Sequence, residues 1–168
     1  MSPVAKADFK TDRAYGEAGE ARVSAFLEEL FAVSPAEKCD QKRGIDCHLW
    51  DRSTGDCSSL EIKTDRLAGK TGRVFLETRS ADTEGAVMRC SADAFAVFIP
   101  DTRQLYIFAT IDLQEALPGW IARHGLRTVR TTQGTHESFN AEGCAVPISE
   151  IARLAVRTFI LPPEDRDG

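Results

Sequence analysis

Asp46, Glu61 and Lys63 could do chemistry together, all three lying in the segment GIDCHLWDRSTGDCSSLEIKTDR that runs from residue 44 to 66. Each sits in a run with the two-residue alternation of a β-strand: Ile45, Cys47 and Leu49 alternate with Asp46, His48 and Trp50, and Leu60 and Ile62 alternate with Glu61 and Lys63. A carboxylate isolated in the middle of a sheet costs several kcal/mol or shifts its pKa until it is neutral, so something must compensate these acids. The turn residues of RSTG suggest the answer. If the hairpin closes over residues 52–55, Asp51 faces Asp56, and five steps back along each strand set Asp46 opposite Glu61. Directly opposed side chains have Cβ atoms about 5 Å apart. Two carboxylates that close repel each other, but they suit a hard divalent cation, which prefers oxygen ligands. The same alternation brings Lys63 to the face of the acids and points Ile62 into the core. An ammonium there can orient or help deprotonate an attacking water and offset charge growing on a phosphoryl oxygen. The set describes metal-assisted phosphodiester hydrolysis. A register slip of one residue would separate the acids, and three charges on a solvated sheet face are the plainer alternative.

Several elements must position these groups. Residues 13–32 carry Val23, Phe26, Leu27, Leu30 and Phe31 at helical intervals, an amphipathic helix that Pro35 terminates. Residues 73–80 read as a third strand, reached through a flexible basic loop with Gly69 and Gly72. Residues 94–100 and 105–110 read as two strands apolar enough to be covered on both faces. IDLQEALPGWIARHG reads as a short helix ended by Pro118 and Gly119, LRTVRT as a late strand, and VPISEIARLAVRTFI as a helix with Pro147 in its first turn. Ile148, Ile151, Leu154 and Ala155 form its buried stripe. The order of elements predicts an α/β domain bordering on α+β, built on a central sheet.

A chain of 168 residues fits one domain, 1–168, with flexible ends at 1–12 and 162–168. With 42% hydrophobic and 28% charged residues the composition is globular. No run approaches the roughly 20 apolar residues of a membrane helix, and the N-terminal residues lack the apolar middle of a signal peptide, which predicts a soluble cytoplasmic protein. The cysteines at 39, 47, 57, 90 and 144 lack the close pairing of a zinc site and read as reduced thiols. A net charge of −5 argues against coating nucleic acid by electrostatics alone, although basic residues concentrate in 61–73 and 123–130.

GID on one strand, LEIK on the next and an amphipathic helix before them resemble the PD-(D/E)xK nuclease superfamily over roughly residues 14–110. The resemblance implies a restriction-endonuclease-like α-β-β-β-α-β core with a mixed central sheet flanked by helices. It implies Asp46 and Glu61 as ligands of Mg²⁺ or Mn²⁺, the Ile62 carbonyl as a further ligand, and Lys63 as the catalytic lysine. Glu20 resembles the helix-one glutamate that often completes the metal site in the resolvase-like branch. Ile45 stands where the family's pattern has proline. The implied activity is cleavage of DNA, by an endonuclease or an exonuclease, in a phage or repair setting, with no membrane association and with a homodimer for cutting both strands. Glu20 lies three residues before Val23, at the edge of the helix stripe, and reads equally well as a solvated acid. Arg66, Lys70 and Arg73, just past the site, are candidate nucleic-acid-binding residues or ordinary solvated charges. His48 shares the face of Asp46, and Glu77 lies on the third strand; ordinary strand polarity accounts for both. Two other functions fit the same residues: a non-catalytic nucleic-acid or protein-binding module on this fold, and an RNA-processing endonuclease.

Overall fold

The computed structural model describes residues 9–133 and 137–164, with side chains described over 13–130 and 140–164. The expected flexible ends lie largely outside these residues. In chain order the elements are α1 (Phe9–Glu28), β1 (Ala32–Pro35), α2 (Lys38–Gln41), β2 (Cys47–Trp50), β3 (Cys57–Thr64), α3 (Ala68–Thr71), β4 (Arg73–Ser80) and β5 (Thr83–Glu84). There follow α4 (Ala86–Arg89), β6 (Ala94–Ile99), β7 (Gln104–Ala109), α5 (Thr110–His124), β8 (Arg127–Gln133), β9 (Glu137–Pro147), α6 (Ile148–Leu154) and β10 (Arg157–Ile160). The fold is mixed α/β, as expected. A six-stranded sheet has the order β1-β2-β3-β6-β7-β10 and a four-stranded antiparallel sheet the order β5-β4-β9-β8. Among the described residues of the larger sheet, only β3 and β6 pair in parallel.

Alternation along the strands builds two cores. Ala96 and Phe98 of β6 join Leu60, Ile62 and Leu105 beneath Val23 and Leu27 of α1. Phe95 and Val97 face the other way, where Val74 and Leu76 of β4, Cys144 and Val146 of β9, and Leu113, Leu117 and Trp120 of α5 meet them. Both faces of β6 and β7 are thus covered, as their apolar runs predict. At the end of the chain, the Pro162 carbonyl accepts a hydrogen bond from Arg22 of α1, whose guanidinium also pairs with Glu164 at 3.2 Å.

The structure departs from the sequence reading in four places. First, α1 ends at Glu28, and the chain straightens into β1, an edge strand whose Pro35 costs no needed ladder bond at its terminus. Leu30, expected in the helix stripe, is exposed. Second, α5 runs unbroken through Pro118. A proline inside a helix costs about 3 kcal/mol, which burial of Leu113, Leu117 and Trp120 on one face offsets. Third, α6 stops at Leu154, and Arg157–Ile160 becomes a strand against β7. Fourth, β4 leaves the sheet that holds the acids and pairs with β9. The loop before β4 is not open chain: it contains α3, Asp65 accepts the amides of Leu67, Ala68 and Phe75, and Gly69 lies so close to Asp101 that an added Cβ would stand 2.6 Å from it.

Candidate active site

The β2–β3 hairpin forms in the register that its turn residues predict. Asp51 donates its amide to the Asp56 carbonyl, and its carboxylate accepts the amides of Ser53 and Thr54. Cys47 then pairs with Leu60 and Leu49 with Ser58. The paired register ends at Cys47 and Leu60; one step before it, the Asp46 amide donates to the Leu60 carbonyl at 2.8 Å, so the chain departs from the ladder at Asp46 instead of continuing to the Asp46–Glu61 pair that the turn predicts. The Asp46 carboxylate turns back across the strands, where Oδ2 accepts the Ile62 amide at 2.7 Å. No described residue donates a hydrogen bond to its other oxygen.

Glu61 is held in the interior of β3 with its side chain only 3% exposed. Burial raises its pKa most, and Asp46 raises it further, while Lys63 opposes both. The Lys63 ammonium lies 2.6 Å from Glu61 Oε1 on the shared strand face. Burial disfavours the charge of Lys63, but Glu61, by charge and hydrogen bond, and then Asp46 outweigh it, and the net shift is upward. Lys63 therefore carries its proton at neutral pH.

Glu20 reaches the same group from α1. Burial raises its pKa, Asp46 and Glu61 add to the rise, and Lys63 draws it down. The helix itself lies close on β3: a Cβ on Gly19 would run into the Thr64 hydroxyl and stand 2.9 Å from Thr64 Cβ. Cys47, beneath the acids, feels them as well; burial, Asp46 and Glu20 push its thiol up to about 12. Asp46, Glu61, Lys63 and Glu20 thus form one electrostatic group around the start of β2 and the end of β3. Ile62 contributes its amide to that group and buries its side chain in the core beneath α1.

The basic residues expected to contact phosphate are placed differently. Arg66 lies over the Tyr15 ring of α1, its guanidinium carbon 6.0 Å from the ring centre. Arg73 donates to the Ala145 carbonyl of β9 at 3.0 Å, a bond that joins the strands of the smaller sheet. Lys70 is exposed on α3. Glu77 accepts the Ala86 amide and holds the start of α4, so it does not serve the acids. His48 lies 3.6 Å from Asp40 of α2. Sequence reading missed Arg89, the last residue of α4, whose charge acts on both Glu61 and Lys63. A single exposed arginine on a four-residue helix carries no periodic signal.

The donor set has the chemistry of a hard-cation site, with two carboxylates that feel each other's charge and a third acid that feels both. Among the described residues no three His, Cys, Asp or Glu side chains are gathered as a ready metal cage. Mg²⁺ does not require one, since it commonly keeps several waters and takes one or two carboxylates together with substrate phosphate. Asp46 and Glu61 meet that requirement. Among the described residues no helix is long and apolar enough to cross a membrane, and all five cysteines are free thiols, with Cys47, Cys90 and Cys144 buried.

No family model and no curated protein sequence matches the chain. Among solved structures, a bacterial homing endonuclease aligns with a TM-score of 0.46 and 12% identity, over 58% of this chain and 68% of its own.

Proposed function

We propose that this chain is a nuclease of the PD-(D/E)xK type that hydrolyses phosphodiester bonds in DNA with Mg²⁺ or Mn²⁺. The observation that carries the reading is the meeting of Asp46 with β3: its carboxylate accepts the amide of Ile62, the residue between Glu61 and Lys63, and the Lys63 ammonium lies 2.6 Å from Glu61. Repelling carboxylates in a sheet interior destabilise the fold unless a cation shares them, and a lysine balances only one. Asp46, Glu61 and the Ile62 carbonyl would hold the ion, with Glu20 approaching from α1. When bound, such an ion supplies electrostatic stabilisation for charge developing on the phosphoryl group.

The chain's own residues do the rest. Lys63, kept protonated, donates hydrogen bonds and offsets negative charge at the phosphoryl oxygens. The Ile62 amide fixes one Asp46 oxygen, and the other would take the ion. Burial of Glu61 excludes water from the side of the carboxylate that faces the core, which strengthens its interaction with any cation beside it.

Single-stranded, duplex and branched DNA incubated with the purified chain and Mn²⁺ test the proposal. Cleavage is expected from the parent chain and a loss of about 10³-fold or more from Asp46→Ala and from Glu61→Ala. Calorimetric titration with Mn²⁺ should show binding that both substitutions abolish. A second reading draws on the Lys63–Glu61 pair itself, which already occupies one carboxylate: a binding module on the same fold would retain that pair, bind nucleic acid, ignore Mn²⁺ and cut nothing. Parallel RNA substrates separate DNA cleavage from RNA processing, and sedimentation of the active species tests the homodimer.

A further inference from the structure

We propose that Arg89 is a phosphate-contacting residue of this site, placed by a helix whose backbone is fixed against the loop that delivers Asp46. The inference rests on the nuclease reading for its ligand, a nucleic-acid phosphate, and for the divalent ion in its charge balance.

The backbone around Arg89 is tied down on both sides. At the start of α4, the Ala86 amide donates to Glu77 Oε1 at 3.2 Å. Gly85 packs so tightly on β4 that an added Cβ would lie 2.6 Å from the Glu77 carbonyl oxygen. Past its end, the Cys90 thiol donates to the Gly44 carbonyl at 3.3 Å, and the Ser91 amide donates to the Arg43 carbonyl at 2.9 Å. Gly44 sits against the Cys90 backbone, where an added Cβ would be 3.0 Å from Cys90 Cα; with φ at +73° it also adopts a conformation that suits glycine. Gln114 of α5 collects the carbonyls of Val87 and Cys90 at 2.9 and 3.1 Å. The residue before Cys90 is therefore held beside the segment that begins two residues before Asp46.

The side chain is in the opposite condition. Arg89 is exposed, and among the described residues its guanidinium has no hydrogen-bond or ion-pair partner, although three carboxylates form the neighbouring site. Lys63 has taken the Glu61 oxygen instead. The charge of Arg89 nevertheless reaches Glu61 and Lys63. A guanidinium with an anchored backbone and free donors matches a phosphate, which it can bind with two parallel hydrogen bonds. Charge balance points the same way. Asp46, Glu61 and Glu20 set three negative charges against the two positive charges of Lys63 and Arg89. A divalent ion then leaves one positive charge, the complement of one phosphodiester. Without Arg89 the loaded site would be neutral toward its substrate.

The test compares Arg89→Ala and Arg89→Lys with the parent chain, with Arg153→Ala, an exposed arginine of α6, as the charge control. The probe is a labelled DNA duplex in Ca²⁺, its affinity followed by anisotropy from about 50 to 200 mM salt. Arg89→Ala should reduce the slope of log affinity against log salt by about 1, whereas Arg153→Ala should leave it unchanged. In Mn²⁺, kcat for Arg89→Ala should fall about 10- to 100-fold and Arg89→Lys should recover part of the loss, because a lysine restores the charge without the fork. Melting temperatures should not move. An Arg89→Ala chain with the parent's salt slope and rate overturns the assignment while leaving the nuclease reading intact. Equal losses in the Ala and Lys variants with lowered melting also overturn it, in favour of a structural role. A parent that cuts nothing, with the slope change still present, overturns hydrolysis and supports the phosphate contact.

Discussion

The two sheets are built from similar strands and put to different use. The six-stranded sheet is covered on both faces, by α1 on one side and by the second core on the other, and its β6 and β7 are buried almost along their whole length. The four-stranded sheet buries Val74, Leu76, Cys144 and Val146 on one face, and residues 127–130 of β8 are exposed, Val129 at 43%. The acids sit in the covered sheet, at the place where β2 begins and β3 runs out beneath α1. A sheet packed on both sides has little freedom to move its side chains, which is what chemistry at fixed distances requires. The exposed stretch of β8 offers area instead.

Removing packing tests this contrast most severely. Phe98→Ala, in the core beneath α1, should lower stability by about 3–5 kcal/mol in denaturant titration. A loss well below that range would mean that α1 is more loosely seated than described. Next come the tight glycines, one in each region. Gly19→Ala and Gly143→Ala should each cost about 1–3 kcal/mol: the first drives a methyl into Thr64, and the second places one 2.5 Å from the Leu76 carbonyl and 2.6 Å from the Phe75 ring. Only Gly19→Ala should also depress cleavage well below the melting temperature, because it displaces the neighbouring Glu20. Equal effects on cleavage would erase the distinction between the sheets.

A smaller effect comes from Asp93, whose carboxylate accepts the Ser59 amide and hydroxyl, both at 2.8 Å, and so ties the start of β6 to β3. These bonds from the Ser59 backbone and side chain hold its pKa below the ordinary carboxylate value. A folded-state pKa lower than the unfolded one adds stability above the unfolded value, near 3.9, and that stability is lost as pH falls through the folded one. Asp93→Asn should therefore cost about 1 kcal/mol at neutral pH, and the gap from the parent should close below about pH 4 when melting is followed across an acid series. A gap independent of pH would mean that charge plays no part in the clamp. Least of all should come from Val129→Asp on the open face of β8, within about 0.5 kcal/mol.

The site was legible in the sequence because most of what sets it is local. The turn between Asp51 and Asp56 fixes the register of β2 on β3 as far as Cys47 and Leu60, and strand alternation puts Lys63 on the face of Glu61; the break of the ladder at Asp46 has no sign in the sequence. What escaped was decided at a distance. β4 reads as a strand but carries no sign of its partner, which lies more than sixty residues further along the chain. β1 is four residues ending in proline and exists only because β2 lies beside it. The run Arg157–Ile160 continues an apparent helical period and becomes a strand when the edge of β7 is free to receive it. Pro118 reads as a stop, yet three buried side chains on its helix outweigh it. Arg89 gains its place from contacts made by its neighbours, which no spacing encodes.

The bond from the Ile62 amide to Asp46 makes one backbone nitrogen a reporter for the whole site. Its proton senses the electron density of a single carboxylate, so a cation drawing on the same group must polarise or lengthen that bond. In a ¹H–¹⁵N spectrum the corresponding cross-peak should shift during a titration with diamagnetic Mg²⁺. Occupancy could then be followed by watching the amide of an isoleucine whose side chain lies in the core.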